Sequence, residues 1–291
     1  MKNLFISAIL VLMVLPSLAQ TPLLKPADFS TSLGMSIFSN GQSGSIEQYI
    51  KNSPNSSLLK QDYSGFNRSI GGFYEGSSNG VVAVGFNLRN KEKTGYHENR
   101  TLRLGISFGS SSTFSSNYFK HESFPSDTFT SGNGNRYPID SNRVENLSMS
   151  IDAKQIVLDA ALIFSTSSST RWKLFAGIGV QAGLNFNGIS TIVRTGSSYL
   201  SFAQGAYFPM NNEQSSSWSI EQTNMGLGFS GAAYIPMGID WQTGTERPFF
   251  KNLHLFYELR PTLTIVQHSG FGTEVKTGLN QQLGVRVRFT N

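Results

Sequence analysis

The sequence predicts an all-β fold, an antiparallel up-and-down β-barrel of about ten strands, with eight and twelve strands as alternatives. Three observations support this prediction. Apolar and polar residues alternate over long segments, the connections between segments fall into a short and a long class, and charge is scarce. Only 14% of the residues are charged and 29 are glycine, whereas typical globular chains have roughly 25% charged residues.

The first three segments combine clear and weak alternation. Residues 29–37 place apolar side chains opposite small polar ones, with Asp28 beginning the polar face. Residues 66–76 form a weaker second segment, and residues 82–88 form the third. Asn79-Gly80 between them is a strong hairpin signal.

The fourth segment, residues 102–109, contains a formal match to the G-x-S-x-G elbow of serine hydrolases, with Ser107 in the nucleophile position. The elbow requires a strand, a sharp turn and then a helix. Here strict alternation continues through the motif, and no helical period follows it. The pattern therefore predicts a strand. A polar fifth segment covers residues 113–120, and the sixth covers residues 156–164.

The last four segments are the clearest. Alternation is unbroken from Trp172 to Phe186, although strands of soluble sheets usually have roughly 5–6 residues. The eighth segment covers residues 225–241, the ninth residues 253–260 and the tenth residues 282–289. Strands this long are typical of a membrane-spanning barrel.

The connections place the segments in a topology. Short links, "SSNG", "SSS", "SSSTR" and "QTGTERPFFK", follow segments two, four, six and eight. Long polar loops cover residues 40–65, 121–146 and 188–222. Short periplasmic turns at one end and long extracellular loops at the other are typical of a transmembrane barrel, with both termini at the short-turn end. Ser45 and Gln48 in the first loop have capping-box spacing, which predicts a short helix over residues 45–52 that packs over the barrel mouth.

The two faces of the segments favour a membrane barrel over a soluble barrel or sandwich. The polar face is mainly Gly, Ser, Asn and Gln, which suits a narrow lumen, whereas a soluble sheet would expose more Lys, Glu and Thr. The apolar face is nearly free of charge. We expect Trp172, Trp241, Tyr74 and Phe289 to form an aromatic girdle near the short-turn end.

The N-terminus predicts export. Residues 1–19 have a lysine, an apolar run from Leu4 to Leu15 and the small-residue pattern Ser17-Leu18-Ala19, which predicts a signal peptide followed by a barrel over residues 20–291. The chain has no cysteine, which excludes disulfides and a lipid-modified N-terminal cysteine. The net charge of +5 is spread along the chain, so nucleic-acid binding is not predicted.

Four motifs carry a family resemblance: "RWKLFAGIG" at 171–179, "AAYIPMGID" at 232–240, "LHLFYELRP" at 253–261 and "LGVRVRF" at 283–289. With them the chain resembles the PorT-like outer-membrane β-barrel family of Gram-negative bacteria. The resemblance implies an outer-membrane location, lipid contact and insertion by the barrel-assembly machinery, for which a final strand ending in an aromatic residue is a signal. The family has no catalytic motif to transfer.

No catalytic, cofactor or metal site is predicted, and we expect the protein not to be an enzyme. His97-Glu98 and His121-Glu122 lack the second histidine of H-E-x-x-H. The groups available to an enzyme at the outer rim are His121, Glu122, His268 and Glu274.

The favoured function is structural, or binding of an envelope protein or surface ligand through the long loops. Ten strands enclose little more than their own side chains, whereas general porins use roughly 16–18. A small channel for ions or solutes and an accessory subunit of an envelope export machine are the alternatives.

A lumen charge network is predicted where the last strands close the barrel. Pairing of segments nine and ten about Phe271 places residue 256 opposite roughly 286, and Glu258 diagonal to Arg286. Closure onto the first segment brings Asp28 to the level of Arg288. The predicted network, a structural plug or alternatively an ion or proton path, comprises Asp28, His254, Glu258, Arg260, Arg286 and Arg288.

Overall fold

A computed structural model describes residues 24–40, 44–61, 63–69, 73–89, 96–166, 170–202 and 215–289. The predicted signal peptide lies outside these ranges. The strands are β1 (Leu24–Asn40), β2 (Asn67–Arg68), β3 (Phe73–Arg89), β4 (Tyr96–Thr130), β5 (Arg136–Ser165), β6 (Trp172–Phe202), β7 (Ser215–Met225), β8 (Gly228–Tyr234), β9 (Met237–Gln242), β10 (Leu253–His268) and β11 (Gly272–Arg288). Two short α-helices, α1 (Ile46–Asn52) and α2 (Pro248–Asn252), and a 3-10 turn (Leu58–Lys60) accompany them. None of the described helices has the length and apolar character needed to span a membrane.

The strands form one closed antiparallel ring. From β1 the order is β3, β4, β5, β6, the successive pair β8 and β9, β10 and β11, and β11 pairs back to β1. Because β8 and β9 share one position between β6 and β10, the ring has eight positions. The predicted closure of the last strand onto the first is confirmed, and Asp28 lies opposite Arg288 as expected.

The ring has eight positions rather than the favoured ten because two predicted turns are wrong. Asn79-Gly80 lies inside β3, and the serines at 110–112 lie inside β4. Asn79 is paired on both sides, with Gly34 and with Gly109. Pairing along both edges of the strand therefore overrides the local turn preference of the Asn-Gly pair.

Two of the three predicted long loops are also wrong in extent. Residues 121–146 are mostly strand, since β4 and β5 stay paired up to Thr130 and Arg136. Residues 188–222 contain the end of β6 and most of β7. These strand portions lie beyond the barrel, where both faces of a sheet can meet water and the apolar alternation that reveals a strand is weak.

Burial in the ring is inverted relative to a soluble protein. Leu33 is 77% exposed and Ile178 65% exposed on the outside, whereas Glu258 is fully buried and Arg260 is 2% exposed inside. Soluble domains almost never bury such charges while exposing a continuous apolar face. The apolar outer belt ends on β5 and β6 where Phe186 pairs with the exposed Lys154.

The aromatic girdle is confirmed in part. Trp172 stacks on Trp241 at a centroid distance of 5.6 Å at the short-turn end. Tyr74 pairs with Ser39 and therefore lies at the opposite end of the barrel. This placement was predicted wrongly because a turn was assumed at Asn79-Gly80.

Candidate functional site: a layered lumen and a projecting sheet

The lumen begins at the short-turn end with a charge layer, here called the lower layer, formed by Asp28, Asp240, His254 and Arg286. Arg286 Nη1 donates to Asp240 Oδ2 at 2.5 Å, and its Nε lies 3.7 Å from Asp28 Oδ1. His254 Nδ1 lies 2.5 Å from Asp240 Oδ1. Asp240 on β9 thus links the neighbouring strand β10 to β11, the strand after it. Arg288 lies half-buried at the rim of the same end.

An aromatic layer covers the lower layer. The Arg286 guanidinium carbon is 4.9 Å from the ring centroid of Phe256 and 5.6 Å from that of Phe175. Both phenylalanines pack with Ala161, Ile163 and Tyr234. Gly238 provides space for this layer, since a Cβ there would lie 2.7 Å from Phe175 Cζ.

The upper charge layer consists of Arg103, Asp159, Tyr234, Glu258 and Arg260. Glu258 accepts hydrogen bonds from Arg103 Nη1 and Nη2 at 2.6 and 2.8 Å, and a further one from Arg260 Nε. Arg260 Nη1 and the Tyr234 hydroxyl donate to Asp159 at 3.2 and 2.8 Å. The two arginines and the two carboxylates of this layer give it no net charge. Their mutual attraction offsets the cost of removing each charge from water.

The predicted register of the last hairpin is wrong by two residues. His254, not Phe256, lies opposite Arg286, and Glu258 lies opposite Gln282. The turn is centred on Gly270, which has a φ of 87°, rather than on Phe271. Glu258 and Arg286 therefore belong to different layers.

The six predicted network residues divide between these places. Asp28, His254 and Arg286 belong to the lower layer, Glu258 and Arg260 belong to the upper layer, and Arg288 lies at the rim. Arg103, Asp159, Tyr234 and Asp240 were missed. Each sits on a polar face that the alternation identifies. Arg103 and Asp159 lie on β4 and β5, which do not pair with β10 or β11, whereas Asp240 lies on β9, which pairs with β10.

A polar chamber of about 60 Å³ lies above the upper layer and is lined mainly by serine, threonine and amide side chains. Such a volume holds several waters, at roughly 10–15 Å³ each. Asn185 faces the chamber 1% exposed, with no hydrogen-bond partner for either amide atom among the described residues. Ser107 also lines it and pairs within the sheet with Val81 and Val157. The prediction that Ser107 lies in a strand is confirmed.

An apolar cap closes the barrel above the chamber. Helix α1 has the predicted capping box between Ser45 and Gln48. Its fully buried Tyr49 packs edge-on against Phe271 at 4.7 Å, and Phe271 contacts Phe114 at 5.5 Å. The predicted helix over the mouth is thus confirmed.

Two carboxylates fasten the segment after α1 to the sheet. Glu221 on β7 accepts from both hydroxyls of Ser56 and Ser57 and from the Ser57 backbone N–H at 3.1 Å. Burial raises the pKa of Glu221, but the serine hydrogen bonds outweigh it and hold the pKa below its ordinary value. Glu145 on β5 pairs with Arg194, whose Nη1 also donates to Gln61.

Beyond the mouth, β4, β5, β6 and β7 continue as a projecting sheet. This sheet exposes large apolar side chains that lie beyond the belt. They are Phe119, Phe124, Phe129, Tyr137, Trp218 and Ile220, with Trp218 67% and Phe124 55% exposed. Among the described strands, β7 pairs only with β6.

The four groups that a rim enzyme could use do not form one cluster, because each contacts different residues. His121 Nε2 lies 3.2 Å from Asn142 Oδ1, and Glu122 pairs with Lys120 at 2.7 Å. The buried His268 packs against Phe114, and Glu274 pairs with Lys276 at 3.2 Å. In the described part of the chain, no three histidine or carboxylate groups converge on a metal position.

Comparisons with known proteins give structural neighbours only. No protein-family model and no curated protein match the sequence. Neisserial surface protein A shares 12% identity over 90% of this chain and 97% of its own, with a TM-score of 0.29. The attachment invasion locus protein Ail of Yersinia pestis shares 10% over 91% and 98%, with a TM-score of 0.27. The transport unit of the autotransporter AIDA-I from Escherichia coli shares 11% over 95% and 96%, with a TM-score of 0.23.

The fold assignment depends on the chain's own geometry. A closed antiparallel ring, a lumen of paired charges and a continuous apolar exterior occur together in barrels that span the outer membrane. The chain is an antiparallel β-barrel of the outer-membrane type.

Proposed function

We propose that this outer-membrane barrel is a surface-binding protein, whose projecting sheet docks an envelope protein or an external ligand while the barrel serves as its anchor. The observation behind the proposal is the contrast between a lumen filled at several levels and a sheet that exposes aromatic side chains beyond the belt. Neither feature suits a general porin.

The filled lumen argues against conduction. A solute would have to displace the apolar cap at Tyr49 and then two charge layers with an aromatic layer between them. Each of these layers fills the narrow interior of an eight-position barrel, where side chains leave little free volume.

The projecting sheet has the composition of a docking surface. Exposed aromatic residues are enriched at interfaces, because they bury a large area at a small entropic cost. Trp218 and Ile220 lie on the same face of β7, the last strand of this sheet. An extended segment of a partner added beside β7 would contact both.

A small channel is the second candidate, favoured by the polar chamber. We also propose that the chain belongs to the PorT-like family, that residues 1–19 are cleaved as a signal peptide and that the barrel-assembly machinery inserts the barrel. Their support is the four sequence motifs, the N-terminal pattern and Phe289 near the end of the last strand.

Two measurements test the proposal. In planar bilayers we expect no stable openings from the purified barrel, and large stable openings would favour the channel. A photo-cross-linking residue at position 124 or 218 should give a discrete protein or glycan adduct in intact cells. The control position 33, in the apolar belt, should give lipid adducts only, and the same pattern at all three positions would contradict surface docking.

A further inference from the structure

The short-turn rim of the barrel carries an excess of positive charge. Its exposed basic side chains are Arg89, Arg100, Arg171, Arg247 and Lys251, and none of the five has an ion-pair partner among the described residues. At the opposite end several cations are paired with carboxylates, as in Lys120–Glu122, Arg143–Glu145 and Lys276–Glu274. The five basic side chains of the short-turn rim are thus available to an external anion.

Two of these cations are held beside the aromatic girdle. The Gln242 backbone N–H donates to the carbonyl oxygen of Arg171 at 2.9 Å, and its side-chain amide donates to that of Lys251 at 2.9 Å. The end of β9 therefore holds the backbone of both residues at Gln242, the residue after Trp241. The Arg171 guanidinium carbon lies 6.0 Å from the Trp241 ring centroid, and the stacked Trp172 is 61% exposed.

We propose that Arg171, Trp172, Trp241 and Lys251, here called the rim patch, bind the phosphate headgroup of anionic phospholipids in the periplasmic leaflet. Arginine and lysine side chains attract phosphate. Tryptophan places an apolar ring among acyl chains and its N–H among headgroups. The inference depends on the proposed membrane topology, since it requires this rim to lie at the inner leaflet surface.

The fluorescence of the two tryptophans in the rim patch can report lipid binding. The chain has three tryptophans, so Trp218→Phe leaves fluorescence only from Trp172 and Trp241. This variant is inserted into phosphatidylcholine vesicles that contain bromine-labelled phosphatidylglycerol or, in the matched sample, bromine-labelled phosphatidylcholine. We expect phosphatidylglycerol to bind at least about threefold more tightly at low salt, since each nearby basic residue strengthens attraction to an anionic surface severalfold. The preference should weaken at high salt.

Substitutions within and outside the patch separate the outcomes. Arg171→Gln with Lys251→Gln should abolish the preference, and Arg171→Lys with Lys251→Arg should retain it. Arg136→Gln, at the opposite end, should leave it unchanged. Equal quenching by both lipids, or a preference that survives the double glutamine variant, would overturn the proposal. Failure of the barrel to insert, read as loss of the folded band on unheated gels, would instead contradict the proposed membrane function.

Discussion

The Glu258 carboxylate accepts hydrogen bonds from Nη1 and Nη2 of Arg103 across the lumen, at 2.6 and 2.8 Å. The two residues come from β10 and β4, which are not neighbours in the ring. A bidentate arginine–carboxylate pair is rigid as well as strong. It therefore fixes the distance between opposite walls of the barrel, in addition to closing the lumen.

Glu258→Gln should destabilise the barrel strongly. The change leaves Arg103 and Arg260 buried without the carboxylate that they share, and breaking one partner of a buried pair typically costs about 3–5 kcal/mol. Urea unfolding from detergent micelles measures this loss. In a double-mutant cycle with Arg103→Gln we expect clear coupling, in the range of roughly 0.5–3 kcal/mol.

The matched control is a cycle between Glu258→Gln and Arg286→Gln. Arg286 lies in the lower layer and, among the described residues, shares no hydrogen-bond or ion-pair partner with Glu258. Residues without shared partners usually add within about 0.5 kcal/mol. Strong coupling in this control would contradict the separation of the lumen into two charge layers.

The fold class was predictable because alternation is clear wherever one face meets lipid and the other the lumen, as from Trp172 to Phe186. The strand count was less predictable, since Asn79-Gly80 has the composition of a turn and only its pairing with Gly34 and Gly109 keeps it extended. The network residues on β10 and β11 followed from the polar face. Their partners Arg103 and Asp159 could not be assigned, because contact across a lumen depends on the ring size and register.

Acidification should release the segment after α1 from the projecting sheet. The pKa of Glu221 is held below its ordinary value, so its carboxylate stabilises the folded contact at neutral pH. This contribution is lost as the pH falls through the depressed folded pKa, below the ordinary glutamate value of about 4.3. Amide hydrogen exchange of residues 53–61, corrected for its intrinsic pH dependence, should therefore accelerate in acid.

Glu221→Gln should show fast exchange of the same segment already at neutral pH. The pKa of Glu145 is also lowered, because hydrogen bonds and charges from Arg194 outweigh the effect of burial, so a smaller acid response should persist in this variant. Gln222→Ala, at the adjacent exposed position, is the control and should behave as the unaltered protein. An unchanged acid response in Glu221→Gln would show that Glu221 does not hold the segment.

Gly109→Ala should prevent correct folding. A Cβ at Gly109 would collide with the carbonyl oxygen of Ser78 and lie 3.0 Å from Asn79 Cα. Both are backbone atoms of the paired strand β3, so the strands would have to separate locally. We expect loss of the folded band on unheated gels. Gly132→Ala, where nothing lies within 4 Å of the added Cβ, should retain that band.

Arginine substitutions at two equally exposed positions should show which part of the outer surface contacts lipid. Ile178 is 65% and Trp218 67% exposed, so exposure alone predicts similar effects for Ile178→Arg and Trp218→Arg. Ile178, however, lies midway along the apolar belt on β6, whereas Trp218 lies on the projecting sheet. Arginine at the bilayer midplane costs about 2–4 kcal/mol, and a surface substitution in water usually changes stability by no more than about 0.5 kcal/mol.

Unfolding from phospholipid vesicles measures both effects, and unfolding from detergent micelles provides the comparison. We expect Ile178→Arg to lower the free energy of unfolding in vesicles and to reduce insertion, with Trp218→Arg close to the unaltered protein. Equal losses for the two variants would place Trp218 in lipid, which would remove the projecting sheet as a docking surface. Equal tolerance would place Ile178 in water, which would contradict a membrane belt on this face of the barrel.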